Sequence, residues 1–278
     1  MEPLSTVGAG LAVLGSKDIL TKILGPTADY IGGELQQFVE KCNINLDHIF
    51  VRAIERLGDK IDDPGQIHPR VLKHVLDDGR FCEDELTADY YGGLLASART
   101  EAGSDDRVVP LLHTLSQLST YQIRFHYILY CLIKQVFGEN GKTSNIHWSG
   151  VRERISIFIP FDETFMGIGI ESIENTKEAF RSTEAILVQC ISGLKSLSLI
   201  DSASWGTVDE LVKRGYSKAS EGGVIITPSV YGAELAFWVN GHRDIPSKFF
   251  LSEQFKLTML PELYMPKKAM PASSLLDD

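Results

Sequence analysis

Residues Glu83 to Phe137 read EDELTADYYGGLLASARTEAGSDDRVVPLLHTLSQLSTYQIRFHYILYCLIKQVF, and this stretch decides the fold. Its first part places apolar side chains at four-residue steps, the spacing of one helix face: Leu86, Tyr90, Leu94 and Ala98. Gly92 and Gly93 interrupt that pattern, and a glycine inside a helix costs about 1 kcal/mol relative to alanine. We therefore predict a helix whose glycines are compensated by close packing against another backbone segment.

The last part of the stretch predicts a longer helix that is apolar on several sides. Ser119 and Gln122 have the spacing of a capping box at its start, and the helix is expected to end near Gly138. Its large side chains are our candidates for an interaction surface: Tyr121, Phe125, Tyr127, Tyr130 and Phe137. A helix with this much apolar surface lies at the centre of a fold or is shared with another subunit. We expect the centre for most of it, and for the protein as a whole we expect a homo-oligomer or a complex with a protein partner.

The chain before this stretch also has helical spacing. Helices are predicted at 17–24, 27–42, 47–58 and 69–77, and the cluster Asp62-Asp63-Pro64-Gly65 predicts a turn. The sequence thus predicts a mainly α protein that begins with an N-terminal helical bundle over residues 1–140.

The second half mixes helix and strand. Strands are predicted at 152–160 and 164–170, paired as a hairpin, and at 222–228; helices are predicted at 176–197 and 230–239. Thr207 and Glu210 have the spacing of a capping box for a short turn of helix. The order of a helix, a variable turn, a strand ending in Thr227-Pro228 and a glycine-bearing helix is typical of a winged helix-turn-helix. We therefore predict a winged-helix-like α+β domain over residues 141–264 and a mobile tail over 265–278.

Three of these motifs, in this order and spacing, resemble the Abi-alpha family of bacterial proteins linked to abortive infection and phage defence. They are Ile23-Leu24-Gly25-Pro26 with Glu34-Leu35, the segment Ile67 to Leu72, and the Glu85 to Ser119 pattern that contains Leu94-Leu95-Ala96-Ser97-Ala98. The likeness covers roughly residues 20 to 137, with a fainter one from about 178 to 240. It implies the winged-helix arrangement and a defence role. It carries no established reaction, so no catalytic residue follows from it.

A winged helix invites a DNA-binding interpretation, which the surface chemistry does not favour. A helix that reads the major groove presents arginine, lysine, asparagine or glutamine to bases and phosphates. The helix here offers chiefly Glu184, Gln189, Ser192, Lys195 and Ser196. The candidate wing has phosphate contacts in Lys213, Arg214 and Lys218, but the chain has a net charge of −10. We do not expect nucleic acid as the main partner.

Motifs of enzymes and cofactor sites are missing from the sequence. The seven histidines form no HExxH pair, Gly8-Ala9-Gly10 does not extend to GxGxxG, and Gly138 to Thr143 follows a helix without the full phosphate-loop spacing. The four cysteines are scattered without CxxC spacing, so we expect buried free thiols in a reducing compartment. We predict no catalytic residues, no metal and no cofactor.

The N-terminal segment leaves two alternatives open. The apolar run Val7 to Gly15 is far shorter than the ~20 residues that cross a bilayer. The glycine-rich and aliphatic sequence from Val7 to Leu35 fits a helix that lies on a membrane surface, or one that packs on protein. Its mixed charges favour the second. We expect a cytoplasmic protein, with peripheral contact to the inner membrane as the alternative.

The functional expectation is a non-enzymatic phage-defence protein that acts through a protein partner, a second copy of itself or a membrane. The rival from another class is a winged-helix DNA-binding transcriptional regulator, and an enzyme comes third.

Overall fold

The computed structural model of the protein describes residues 44–82, 84–138, 145–170 and 177–277. Its fold is mainly helical with a small four-stranded antiparallel sheet, so the predicted mainly α class with some strand is confirmed. The helices predicted at 17–24 and 27–42, and with them the N-terminal segment considered for membrane contact, lie outside the described residues. The chain divides into two compact units.

The first unit contains described residues 44–117 and 238–243. Its helices are α1 (Ile44–Leu57), α2 (Pro69–Gly79), α3 (Glu85–Ala98) and α4 (Val109–Ser116). Local signals start two of them. Pro69 opens α2, where the absence of a backbone N–H costs nothing, and the Asp84 carboxylate accepts a hydrogen bond from the Thr87 N–H at the start of α3.

The two glycines of α3 lie against other backbone, as the sequence predicts. A Cβ built on Gly93 would be 1.8 Å from the carbonyl oxygen of Val239, and one built on Gly92 would be 2.7 Å from the carbonyl oxygen of Ile49. Helix α3 is buried from Leu86 to Ala98. The two glycines lower the helix propensity of α3, but they allow other backbone to approach the helix more closely than a larger residue would permit.

A buried ion pair also holds this unit together. Arg56 Nη2 of α1 lies 2.6 Å from Asp89 Oδ2 of α3, and both side chains are at most 10% exposed. Burial raises the pKa of the Asp89 carboxyl, against the opposing effect of the Arg56 charge. The Arg56 guanidinium therefore offsets part of the free-energy cost of burying the Asp89 carboxylate.

The second unit contains described residues 118–237 and 244–277 apart from the gaps given above. Its helices are α5 (Thr120–Phe137), α6 (Ser149–Arg154), α7 (Phe161–Gly167), α8 (Lys177–Ser196), α9 (Val208–Lys213) and α10 (Val230–Val239), the last of which ends in the first unit. Its strands are β1 (Ile157–Pro160), β2 (Ile200–Gly206), β3 (Gly223–Pro228) and β4 (Met270–Pro271).

The hairpin predicted over residues 152–170 is wrong. Residues 149–154 form α6, only Ile157–Pro160 is strand, and Phe161–Gly167 is helix. Pro160 ends the strand, Asp162 and Glu163 lie in the first turn of α7, where acidic side chains are favoured, and the Thr164 hydroxyl donates to the Pro160 carbonyl. These local hydrogen bonds and charges favour a helix after Pro160, and they outweigh the alternating pattern from which a second strand was predicted.

The sheet has the order β2-β3-β1-β4 and is antiparallel throughout. In register, Phe158 of β1 lies opposite Ile225 of β3, and Trp205 of β2 lies opposite Val224 of β3. Strand β2 and helix α9 both lie in the connection from α8 to β3. This connection was predicted as a turn and short helix, and β2 was not foreseen.

Helix α5 is the centre of the second unit, where it contacts β1, β3, α7 and α8. Tyr130 Oη donates to the Leu199 carbonyl at 2.7 Å and accepts from the Ser229 N–H at 3.1 Å. One turn earlier, the buried His126 places Nε2 3.0 Å from the Gly232 carbonyl. Because a carbonyl only accepts, the neutral ring carries its proton on Nε2.

The contacts of α5 explain why the observed units do not follow the predicted boundary. The chain divides at Gln117, so α5 belongs to the second unit, whereas we predicted it in a first domain ending at residue 140. Capping by Ser119 and Gln122 is present as predicted.

The segment predicted as a mobile tail over 265–278 packs on this unit up to residue 277. The backbone N–H of Lys268 donates to Glu163 at 2.7 Å, and Met270 lies opposite Phe158 of β1. Leu275 and Ala272 lie in one apolar cluster with Phe158, Leu211, Ala219 and Ile225. We call residues 264–277 the C-terminal strap; it ties β1 to the connection between β2 and β3.

Candidate functional site

A cleft of about 470 Å³ opens in the second unit between α7, α8, β2 and α9. The described residues that line it are Phe161, Phe165, Glu184, Leu187, Ala203, Ser204, Trp205, Gly206, Thr207, Glu210 and Arg214. Its volume is in the range of small-molecule and side-chain binding sites. We call it the α8–β2 cleft.

Aromatic and aliphatic side chains form the walls of the α8–β2 cleft. The rings of Phe161 and Phe165 stack at a centroid distance of 6.0 Å with planes 12° apart, because the two residues lie one turn apart on α7. Leu187 of α8 is fully buried, and Trp205 of β2 is half-buried. These surfaces can cover the apolar body of a ligand.

Charged groups line the same cleft. Glu184 and Glu210 are exposed, and Arg214 is the cation among the described lining residues. Glu210 Oε2 accepts from the Thr207 N–H at 2.8 Å, and this backbone hydrogen bond is the main cause that lowers the pKa of Glu210. The carboxylate is therefore held in place and ionised at neutral pH.

Arg214 is bonded to protein acceptors through one of its guanidinium nitrogens. Its Nη1 donates to the Trp205 carbonyl at 2.6 Å and to the Ser204 hydroxyl at 2.9 Å. The guanidinium thus joins the end of α9 to β2 and fixes the floor of the cleft near Trp205. The arrangement combines an aromatic wall with two carboxylates and one engaged guanidinium.

The five interaction candidates on α5 separate into two groups. Phe125, Tyr127 and Tyr130 are buried in the second unit, where they serve its core. Tyr121 is 40% exposed and Phe137 is half-buried. Tyr121 and Phe137 are therefore the two of the five that can still contribute to a surface.

The three predicted wing contacts are exposed on the connection between β2 and β3. Lys213 is the last residue of α9, Arg214 lines the cleft as described, and Lys218 donates its backbone N–H to the Leu275 carbonyl of the C-terminal strap. The sequence predicts a phosphate contact for Arg214; in the structure this residue is exposed, and its Nη1 bonds Ser204 and Trp205.

Metal ligands and reactive thiols do not mark a site in the described part of the chain. No three His, Cys, Asp or Glu side chains there come together in a group that could hold a metal ion. Cys131 and Cys190 are buried free thiols, and burial raises the pKa of each to about 12. His147 Nε2 lies 2.5 Å from Ser247 Oγ, in a surface contact that does not line the cleft.

Sequence reasoning missed the aromatic members of the cleft. Phe161 and Phe165 were read as turn and strand, and Trp205 was read as part of a turn. The available signals were the four-residue spacing of the two phenylalanines and a lone tryptophan among small residues, Ser202-Ala203-Ser204-Trp205-Gly206. A large aromatic between small neighbours has room for a ligand beside it.

Comparisons with known proteins bring no relative to this chain: no family model, no curated protein and no solved structure matches it. The Abi-alpha resemblance stays a prediction. Within the described residues, no helix combines the length and the apolar character needed to cross a bilayer.

Proposed function

We propose that this chain is a non-enzymatic phage-defence protein that acts by binding a protein partner, and that its second unit is a winged-helix module used for that contact. The observation that carries the proposal is the surface chemistry of α8 and the adjoining cleft. The defence role itself comes from the Abi-alpha resemblance.

The order of elements supports the winged-helix interpretation. The chain runs β1-α7-α8-β2-α9-β3, and β3 lies between β1 and β2 in the sheet. In a winged helix, two helices follow the first strand, the second of them is the recognition helix, and the next two strands form the wing. Helix α8 takes the place of the recognition helix, and residues 207–222 take the place of the wing.

The exposed face of α8 supports protein rather than DNA as the partner. Its exposed described residues are Glu184, Ala185, Gln189, Ser192, Lys195 and Ser196. That set contains one cation and one anion, whereas DNA affinity comes from lysine and arginine displacing counterions. Glu184 would moreover face the phosphates with the same sign of charge. The aromatic side chains in which protein interfaces are enriched lie beside this face, in the α8–β2 cleft: Phe161, Phe165 and Trp205.

Two measurements on the full chain test this proposal. The first is plaque formation on a bacterial lawn that expresses the chain, compared with an empty vector, for a panel of phages. Protection against at least one phage supports the defence role, and no protection across the panel counts against it.

The second measurement separates the rival function. A DNA-binding regulator is favoured by the strand order, so fluorescence anisotropy with duplex DNA is measured at 50 and 200 mM salt. We expect no affinity beyond the weak non-specific range of about 10⁻⁴ to 10⁻⁶ M at the higher salt. Tight binding that falls steeply with salt would replace our proposal with the regulator.

A further inference from the structure

We infer that the α8–β2 cleft is a receptor for a lysine or arginine side chain presented by a basic segment of the partner. This inference rests on the proposed function, because it names the chemistry of the protein partner at that same surface.

The walls fit the long methylene stem of a basic residue. Phe161, Phe165 and Leu187 offer apolar surface, and Trp205 adds a half-buried indole. Lysine and arginine bury their stems against apolar surface while the charged head stays at the edge. Aromatic faces also attract an ammonium or guanidinium through their quadrupole, and tryptophan does so best.

The charges favour a cationic head. The described lining contains two carboxylates, Glu184 and Glu210, and one guanidinium, that of Arg214. The Glu210 carboxylate is oriented by Thr207, and Nη1 of Arg214 is occupied by Ser204 and Trp205. The two acidic groups come from different helices that line the cleft, Glu184 from α8 and Glu210 from α9. A cation in the cleft therefore meets a net negative lining.

Other occupants fit less well. An acidic side chain or a phosphate would meet two carboxylates against one guanidinium, and Nη1 of that guanidinium already bonds protein oxygens. A neutral aliphatic side chain would use the walls but partly desolvate Glu184 and Glu210 without bringing a positive charge to them, which costs free energy. Each of these occupants is an outcome of the test.

The test uses the indole N–H signals of the three tryptophans in the full chain, observed by NMR after ¹⁵N-tryptophan labelling. Trp205→Phe assigns the signal of Trp205. The probes are the Nα-acetyl methylamides of lysine, arginine, norleucine and glutamate. Norleucine is the matched neutral control, since it has a stem like that of lysine without the charge.

We expect the lysine and arginine probes to shift the Trp205 signal saturably, with affinity on the order of millimolar because one side chain makes few contacts. Norleucine should bind at least about fivefold more weakly, and glutamate should leave the signal unchanged. Glu184→Gln should weaken the lysine probe about threefold or more. Glu153→Gln, the same change at an exposed site on α6 that does not line the cleft, should leave it unchanged.

Three results would overturn the inference: a Trp205 signal indifferent to lysine and arginine, equal affinities for norleucine and lysine, or a preference for glutamate. The plaque assay keeps the two proposals apart. Protection that persists undiminished in Glu184→Gln, together with failed probe binding, removes the cleft receptor and leaves the defence role. Absence of protection in the unaltered chain removes the defence role, whatever the probes show.

Discussion

Replacing Gly93 by alanine should destabilise the first unit, although alanine is the better helix former. The new Cβ would lie 1.8 Å from the Val239 carbonyl oxygen, whereas a carbon and an oxygen in contact stay about 3.3 Å apart. The two backbones would have to separate by about 1.5 Å, because neither partner is a flexible side chain. Overpacking of this kind costs about 1–3 kcal/mol or more, and the gain in helix propensity returns about 1 kcal/mol. A clash of this depth with a backbone lies at the upper end of that range, so we expect a net loss of about 2 kcal/mol.

The assay is urea unfolding followed by circular dichroism, with hydrogen exchange of α3 to assign the transition to this unit. Alanine substitutions at two other glycines serve as comparisons for the measured loss of stability. Gly92→Ala places its Cβ 2.6 Å from the Arg52 Cβ and 2.7 Å from the Ile49 carbonyl oxygen, so its loss should be smaller. Gly150→Ala in α6 meets nothing within 4 Å among the described residues and should be neutral or slightly stabilising. A Gly93→Ala protein as stable as the unaltered chain would refute the close backbone contact.

Two further predictions concern buried charge. Arg56→Met leaves the Asp89 carboxylate buried without its guanidinium, so the free energy of unfolding should fall by about 3–5 kcal/mol. Adding Asp89→Leu to Arg56→Met should recover most of that loss. Near-normal stability of the Arg56→Met protein would contradict the stabilising role of the pair. Burial lowers the pKa of His126 to about 4, below the ~6.5 of an unfolded chain, so its contribution to stability is intact above pH 6.5 and declines by about 3 kcal/mol as the pH falls to 4. Urea titrations across this range should show a steeper loss in the unaltered chain than in His126→Gln, and equal slopes would rule the histidine out as the source.

Signals within a few residues of one another allowed much of the fold to be predicted. The capping boxes of Ser119 with Gln122 and of Thr207 with Glu210 are both formed, and α5 and α8 begin and end within about two residues of the predicted positions. Each of these signals involves one turn of helix and its own hydrogen bonds, so it does not depend on distant residues.

The errors arise where distant residues decide. Strand β2 consists largely of small and polar residues with no alternating apolar pattern, and it is a strand because β3 pairs with it. The α8–β2 cleft unites Phe161 with Arg214, which are far apart in sequence. The sequence could not show which compact unit contains α5, because its apolar surface indicates burial but not which elements bury it.

The late position of β4 in the chain has a consequence for synthesis. Strand β1 ends at Pro160, and its outer edge is covered only when Met270 and Pro271 arrive. At translation rates of about 5–20 residues per second, the nascent chain leaves that edge open for roughly ten seconds. An open strand edge pairs readily with other polypeptides, so this interval is when a chaperone, or a neighbouring nascent copy on the same messenger, has access to the sheet.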